Sequence, residues 1–293
     1  MLKRLEPENL DSAALEKLFS ERGLILFGTG YVAGVWLKIL RERRMEKVLR
    51  YFVVSRCEPG TFFSGYPVYR LDEAPIPPSA APETLPVLGL AVHEVLAEKL
   101  LFSLRASYPG DCLYLYPRMH EFAFGPALRE EEIPLTRLLQ AQPANNFWIT
   151  SRYAALCEHK KAPSVREVCA ADIYLKHQRL FSSEETAKAR LERFFQLAES
   201  PFRDRVLREN PIIVDERLRV VDGLHRIALC CYVRQASLPC RVVRSSDLYD
   251  ELFTEKNRLT PSAQRLAGLS EQEQALLLQT KMELLHGECE QIR

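Results

Sequence analysis

The sequence predicts an α/β protein with an N-terminal parallel sheet, a second α+β domain and helices at the C-terminal end. Three observations predict this. The apolar run Leu24-Ile25-Leu26-Phe27 passes directly into the small-residue turn Gly28-Thr29-Gly30 and then a helical pattern. A hairpin pattern passes into a second helix through Asp222-Gly223-Leu224-His225-Arg226. The length of 293 residues with 47% apolar content suits about two globular domains. The expected boundaries are residues 1–130 for the first domain, 131–165 for a bridging segment, 166–250 for the second domain and 251–293 for the C-terminal helices.

In the first domain Leu24 to Phe27 reads as a buried strand and Val35-Trp36-Leu37-Lys38-Ile39-Leu40 as helix. Between them Gly28, Gly30 and Ala33 form a Gly-x-Gly-x-x-Ala pattern in a strand–turn–helix setting. The two glycines suit a tight turn and close approach to a phosphate; the alanine suits helix-on-strand packing. Further strands are expected at Leu49 to Val54, Val87 to Leu90 and Cys112 to Tyr116, in parallel-sheet rhythm. A dinucleotide site would carry an acid after the second strand, whereas this chain has Ser55-Arg56, which argues against NAD. Arg56 would suit a 2′-phosphate, or the site holds no dinucleotide; NADP is not the expected cofactor. His93 and Glu94 follow the third strand, at the edge where α/β proteins place ligands.

Glu130-Glu131-Glu132-Ile133-Pro134 and the run to Asn146 read as a boundary or bridging loop, with Phe147 and Trp148 as its anchors. In the second domain Ile173 and Leu175 alternate with Tyr174 and Lys176, which predicts a strand with one buried face. Ser182 and Glu185 make a capping box ahead of a helix whose Ala187, Leu191, Phe194, Phe195 and Ala198 share one face. That helix should end near Ser200-Pro201. Ile212 to Val214 and Leu218 to Val221 form the hairpin strands, and Leu238 to Val243 closes the unit.

Glycine at the strand-to-helix switch lets the backbone approach a ligand, and the first helical N–H groups favour an anion. His225 and Arg226 add donors for phosphate oxygens. Asp222 would cap the helix or hold a metal. The plainer reading makes Asp222 an N-cap, Gly223 a turn residue, His225 a satisfied neighbour and Arg226 a solvated charge.

Residues Asp172 to Val243 resemble the ParB/sulfiredoxin-like superfamily, in which a hairpin leads into a helix opening with a Gly-x-x-Arg or Gly-Cys-His-Arg motif. Here the match is Gly223-Leu224-His225-Arg226 within its apolar frame. Members bind nucleotide phosphate at this helix start: partition proteins CTP, sulfiredoxins ATP, and free-serine kinases also belong. Leu224 stands where sulfiredoxin carries its reactive cysteine, so sulfinic-acid repair is not expected. The Asp-Gly-x-His-Arg form looks closer to the small-molecule kinases, which implies that Asp222 binds magnesium or activates an acceptor hydroxyl. The resemblance also implies a helix lysine for the nucleotide, with Lys188 the nearest equivalent; Lys176 and His177 are further candidates. The first domain, through Phe52 to Arg56, Gly65 to Val68 and Leu71-Asp72-Glu73, resembles the Rossmann-like domains of sugar-modifying proteins such as bacterial sugar acyltransferases. In those it binds a nucleotide-sugar or helps assembly.

Together these imply a phosphotransferase that uses a nucleoside triphosphate or diphosphate with magnesium on a small hydroxylated molecule, sugar-related in one version. The alternatives are a non-catalytic, nucleotide-switched module that binds DNA or protein, and an NADP-dependent reductase. Formal charge is +1, which argues against a nucleic-acid partner. Eight cysteines form no Cys-x-x-Cys pair, and Cys230 and Cys231 read as packing residues. No apolar run approaches the roughly 18 residues of a membrane span, and no signal-peptide core is present, so a cytoplasmic location is expected. Near the end, Ser270 and Glu273 make another capping box, and Ala275, Leu278, Met282 and Leu285 form an apolar stripe, widened by Leu277 and Leu284. The stripe is expected to pack on its own domain, with a homodimer through this helix as the other outcome.

Overall fold

Residues 11–76, 81–92, 94–159 and 168–286 are described by the computed structural model. The described chain divides into two compact units, Met1–Gly125 and Pro126–Arg293.

In the first unit Asp11 accepts a hydrogen bond from the Ala14 amide at 2.8 Å and so starts helix α1, Ser12–Arg22. Gly23 stops it at φ 85°. Then come β1 (Leu24–Phe27), α2 (Tyr31–Glu42), β2 (Leu49–Val54), β3 (Phe62–Phe63), β4 (Tyr66–Arg70), β5 (Val87–Leu90), α3 (Glu94–Ser107), β6 (Cys112–Tyr114) and α4 (Met119–Phe124). The sheet order is β3-β4-β2-β1-β5-β6. All neighbouring pairs are parallel except β3 with β4. Numbered along the chain, the five parallel strands lie in the order 3-2-1-4-5, so the winding reverses between β1 and β5. Ile25, Phe27, Tyr51, Val53, Leu88 and Leu90 point to one face and pack with Ala97 and Leu104 of α3. The alternate residues Leu24, Leu26 and Phe52 are also fully buried. A sheet buried on both faces explains why its strands read as continuous apolar runs.

In the second unit the order is β7 (Arg129–Pro134), α5 (Leu135–Gln140), α6 (Trp148–His159), α7 (Ala170–Arg179), α8 (Glu184–Glu199), α9 (Arg203–Glu209), β8 (Ile212–Asp215), β9 (Val220–Asp222), α10 (Leu224–Tyr232) and β10 (Ser237–Val243). Four helices follow: α11 (Leu248–Leu252), α12 (Glu255–Arg258), α13 (Pro261–Leu266) and α14 (Glu271–His286). The sheet order is β7-β10-β8-β9, with β10 and β8 parallel and the other pairs antiparallel. Helix α6 is buried along most of its length and packs against α7, α10 and α14. The β8–β9 hairpin turns around Asp215, which is fully buried. Its carboxylate accepts from the Arg217 and Arg219 amides at 3.0 and 2.9 Å and from the Arg219 guanidinium at 2.8 Å.

Four expectations are corrected here. Residues 172–176 belong to helix α7 and not to a strand; Ile173, Tyr174 and Leu175 are buried in succession, so the apparent alternation carries no face. The acidic stretch from Glu130 to Pro134 is strand β7 and not a loop. It pairs with β10, buries Ile133 and sets Glu130 against Arg241 at 2.7 Å. The cap of α8 is Ser183, which accepts from the Thr186 amide at 3.3 Å, one residue beyond the expected Ser182. On α14 the inward residues are Glu273, Leu277 and Thr280, while Leu278 and Met282 are about half exposed, at 56% and 48%. The Ser270–Glu273 capping box itself forms as expected, with bonds of 2.7 and 3.2 Å. Cys230 and Cys231 are buried packing residues, and Phe147 and Trp148 are buried anchors.

Candidate functional site

The hairpin and α10 bring Asp222, Gly223, Leu224, His225 and Arg226 to one corner of the second unit. Asp222 ends β9 and Gly223 is the N-cap of α10, at φ 104° and ψ 20°. This left-handed conformation favours glycine, and a Cβ there would lie 2.6 Å from Ile212 Cδ1. With no side chain at the cap, the first amides of α10 receive no side-chain cap. That end of the helix therefore presents uncapped N–H groups beside a carboxylate.

Arg226 is held by its own chain. Its Nη1 donates to the Asn210 carbonyl and, at 2.9 Å, to the Pro211 carbonyl. Its Nη2 donates to Asp222 Oδ2 at 2.9 Å. The guanidinium thus ties the start of β8 to the end of β9 and fixes Asp222. The Arg226 side chain is 18% exposed and that of Asp222 46%. Leu224 lies half-buried beside them.

His225 turns into the helical layer. Its Nε2 lies 2.9 Å from the Tyr174 hydroxyl, and its ring meets Phe194 edge-on at 4.7 Å. The residue as a whole is half-buried, and the atoms packed round the ring penalise a charge. Burial first, then the positive charges of Arg152, Arg190 and Arg226, hold its pKa well below the usual histidine value. The imidazole is therefore neutral near pH 7. Burial also raises the Tyr174 hydroxyl, against the pull of Arg152 and Arg190, so tyrosine and histidine share one neutral hydrogen bond.

The lysines proposed from sequence have other partners. Lys188 is 57% exposed and pairs with Glu184 at 2.9 Å, one turn away on α8. Lys176 reaches both oxygens of Glu273 at 2.8 Å and so ties α7 to the start of α14. Burial alone would raise the Glu273 pKa; the bonds from Lys176 and Ser270 outweigh it and hold the carboxylate below its ordinary range. His177 is buried, with Nε2 donating to the Lys256 carbonyl at 2.8 Å and Nδ1 lacking a hydrogen-bond partner. Burial, reinforced by Arg152, takes its pKa down to about 3.

Among the described residues no group of three or more His, Cys, Asp or Glu side chains could hold a metal. A magnesium ion at Asp222 would have to complete its shell with water and phosphate oxygens, which is how this ion is commonly held. The single half-exposed carboxylate beside uncapped amides fits that arrangement.

Gly28 in the first unit has φ 112°, donates its N–H to Val53 O at 2.9 Å, and leaves a Cβ only 3.1 Å from Val92 Cγ1. Gly30 is the N-cap of α2 and faces open space, and Ala33 is fully buried. The Gly28 turn leaves β1 beside β5, where the winding reverses, which is where open parallel sheets take ligands. Arg56 is exposed. His93 lies outside the described residues, and Glu94 opens α3.

Sequence reasoning missed Tyr174, Arg152 and Arg190. Tyr174 was assigned to the outer face of a strand, and neither arginine sits in a motif. Comparison with protein-family models, curated proteins and solved structures finds no match to this chain.

Proposed function

We propose that the chain is a nucleotide-dependent phosphotransferase acting on a small hydroxylated molecule, and that its second unit contains a ParB/sulfiredoxin-like nucleotide domain. The observation that carries this reading is Gly223: a left-handed glycine joins a strand to a helix and leaves that helix start uncapped, next to Asp222. Phosphate oxygens would accept from the amides of residues 224–226. Asp222 would hold a magnesium ion, which would supply charge neutralisation in the transfer. Arg226 holds Asp222 at this position. His225, kept neutral by its surroundings, would help position the acceptor by hydrogen bonding and would not take its proton, since the same surroundings oppose a charge on the ring.

We further propose that the first unit is a Rossmann-like domain with a ligand site of its own, for a sugar or nucleotide-sugar. Its 3-2-1-4-5 order and the Gly28 turn at the reversal support this. A nucleotide-switched module without catalysis is the second reading. It is favoured by Arg226 and His225 already being bonded to protein groups, as in a site built for binding.

The test is a thermal-shift series with nucleoside di- and triphosphates, with and without magnesium, followed by a phosphate-release assay with candidate acceptors. A shift that needs magnesium and is lost in Arg226→Ala supports the proposal. Turnover separates the enzyme from the switch. No shift with any nucleotide contradicts both.

A further inference from the structure

A group of basic and polar side chains that the proposed transfer leaves unused lies among α6, α7 and α8. Arg152 of α6 is buried, and its guanidinium carbon sits 5.6 Å from the centre of the Tyr174 ring on α7. The Tyr174 hydroxyl meets His225 at 2.9 Å. Gln178 follows Tyr174 by one turn, and its side-chain oxygen accepts from Arg190 Nη1 of α8 at 3.1 Å. Phe194, one turn beyond Arg190, packs on His225. Tyr174, Arg152, Arg190 and His225 are therefore gathered at one place by four helices.

The Arg190 guanidinium is half-buried, and its hydrogen bond among the described residues goes to a neutral amide. A guanidinium offers five N–H donors in a planar fork, and that fork matches a carboxylate or phosphate. The charges that bear on Tyr174 and His225 are those of Arg152 and Arg190, joined at His225 by Arg226. A field of this sign in a partly desolvated place favours an anion.

We infer that Arg190, with Arg152 and Tyr174, binds an oxyanion carried by the small-molecule acceptor, a carboxylate or a phosphate. This deepens the proposed function by making the acceptor a small acid, and it rests on that reading for the acceptor's role. The oxyanion sits against the Tyr174 side of His225 and so anchors the molecule whose hydroxyl reacts.

The experiment titrates the full chain with malonate, inorganic phosphate and magnesium-nucleotide at constant ionic strength, with chloride as control. Parent, Arg190→Gln and Tyr174→Phe are compared after circular dichroism has established their folds. Malonate or phosphate should stabilise the parent beyond chloride. Arg190→Gln should weaken that binding by about tenfold or more, since a charge-assisted fork is removed, while the nucleotide shift persists. Response to malonate assigns a carboxylate; response to phosphate alone assigns a phosphate. Loss of the nucleotide shift in Arg190→Gln, with malonate inert, would overturn the acceptor assignment by giving the fork to the nucleotide. Equal anion binding in parent and Arg190→Gln would overturn the proposal, as would no anion effect in the parent. If Arg190→Gln fails to fold, Tyr174→Phe decides by the same criterion. Anion binding without any nucleotide binding would leave this site standing and remove the phosphotransferase reading.

Discussion

Two helices of this protein open from a glycine that ends or follows a strand, and their surroundings differ. Before α2, Gly28 makes the turn at φ 112° and Gly30 caps the helix, with Val92 and Ala91 as the nearest neighbours of Gly28. Before α10, Gly223 does both jobs at φ 104°, and Asp222, His225 and Arg226 stand around it. Both starts offer amide groups to an anion. Among the described residues the second adds a carboxylate, a neutral imidazole and a guanidinium that locks the carboxylate in place. A glycine-led helix start is thus a general anion receptor, and specific chemistry comes from the side chains fixed beside it.

Substitutions test that contrast. Gly223→Ala carries the largest expected effect, a loss of about 2–4 kcal/mol in unfolding free energy, because strain at positive φ adds to a 2.6 Å approach to Ile212. Denaturant unfolding measures it. Arg226→Ala should cost about 1–3 kcal/mol, since it removes the guanidinium that bonds the Asn210 and Pro211 carbonyls and Asp222. It should also remove nucleotide binding. At the other helix start, Gly30→Ala should change stability by about 0.5 kcal/mol or less, because φ is negative and nothing lies within 4 Å of the added carbon. A Gly30→Ala loss as large as that of Gly223→Ala would break the comparison. Lys188→Ala should also leave stability within about 0.5 kcal/mol and nucleotide affinity unchanged, because its ion pair with Glu184 is exposed.

A pH effect accompanies the buried imidazoles. His177 titrates at about 3 in the folded chain against 6.5 ordinarily. Between those values the unfolded chain binds the extra proton, so stability falls as pH drops through that window and is regained above it. His177→Gln should flatten this acid limb in urea melts recorded from neutral pH downward. An unchanged limb would show that His177 is not its source.

The parts of the fold legible in the sequence were those where one residue pattern has one physical cause. Leu24–Phe27, Leu49–Val54 and Val87–Leu90 are strands with the expected limits, because a sheet buried on both faces needs continuous apolar runs. The glycine before α10 was legible for a similar reason, since few residues can hold that backbone. The rest depended on partners distant in sequence. Helix α7 looked like a strand because its inward face, Ala170, Ile173, Tyr174, His177 and Gln178, has helical spacing but ends in two polar residues, so the apolar letters alone show only the short alternation around Ile173 and Leu175. Strand β7 looked like a loop because Ile133 is the residue it buries, and its acids sit at the edge of the sheet, where charge deters further pairing. On α14 the stripe was legible only in part: Leu277 on its widened edge is buried, while Leu278 and Met282 are about half exposed and Glu273 is drawn inward by Lys176. Arg152, Tyr174 and Arg190 come from three helices, and no local spacing links them.

The most direct measurement is hydrogen–deuterium exchange of the full chain with and without magnesium-nucleotide. The amides of residues 223–227 should slow on binding, because phosphate oxygens accept from them, while residues 28–34 should not respond to the nucleotide. Nucleotide that protects residues 28–34 alone, or protects neither helix start, would contradict the placement of the phosphates on α10.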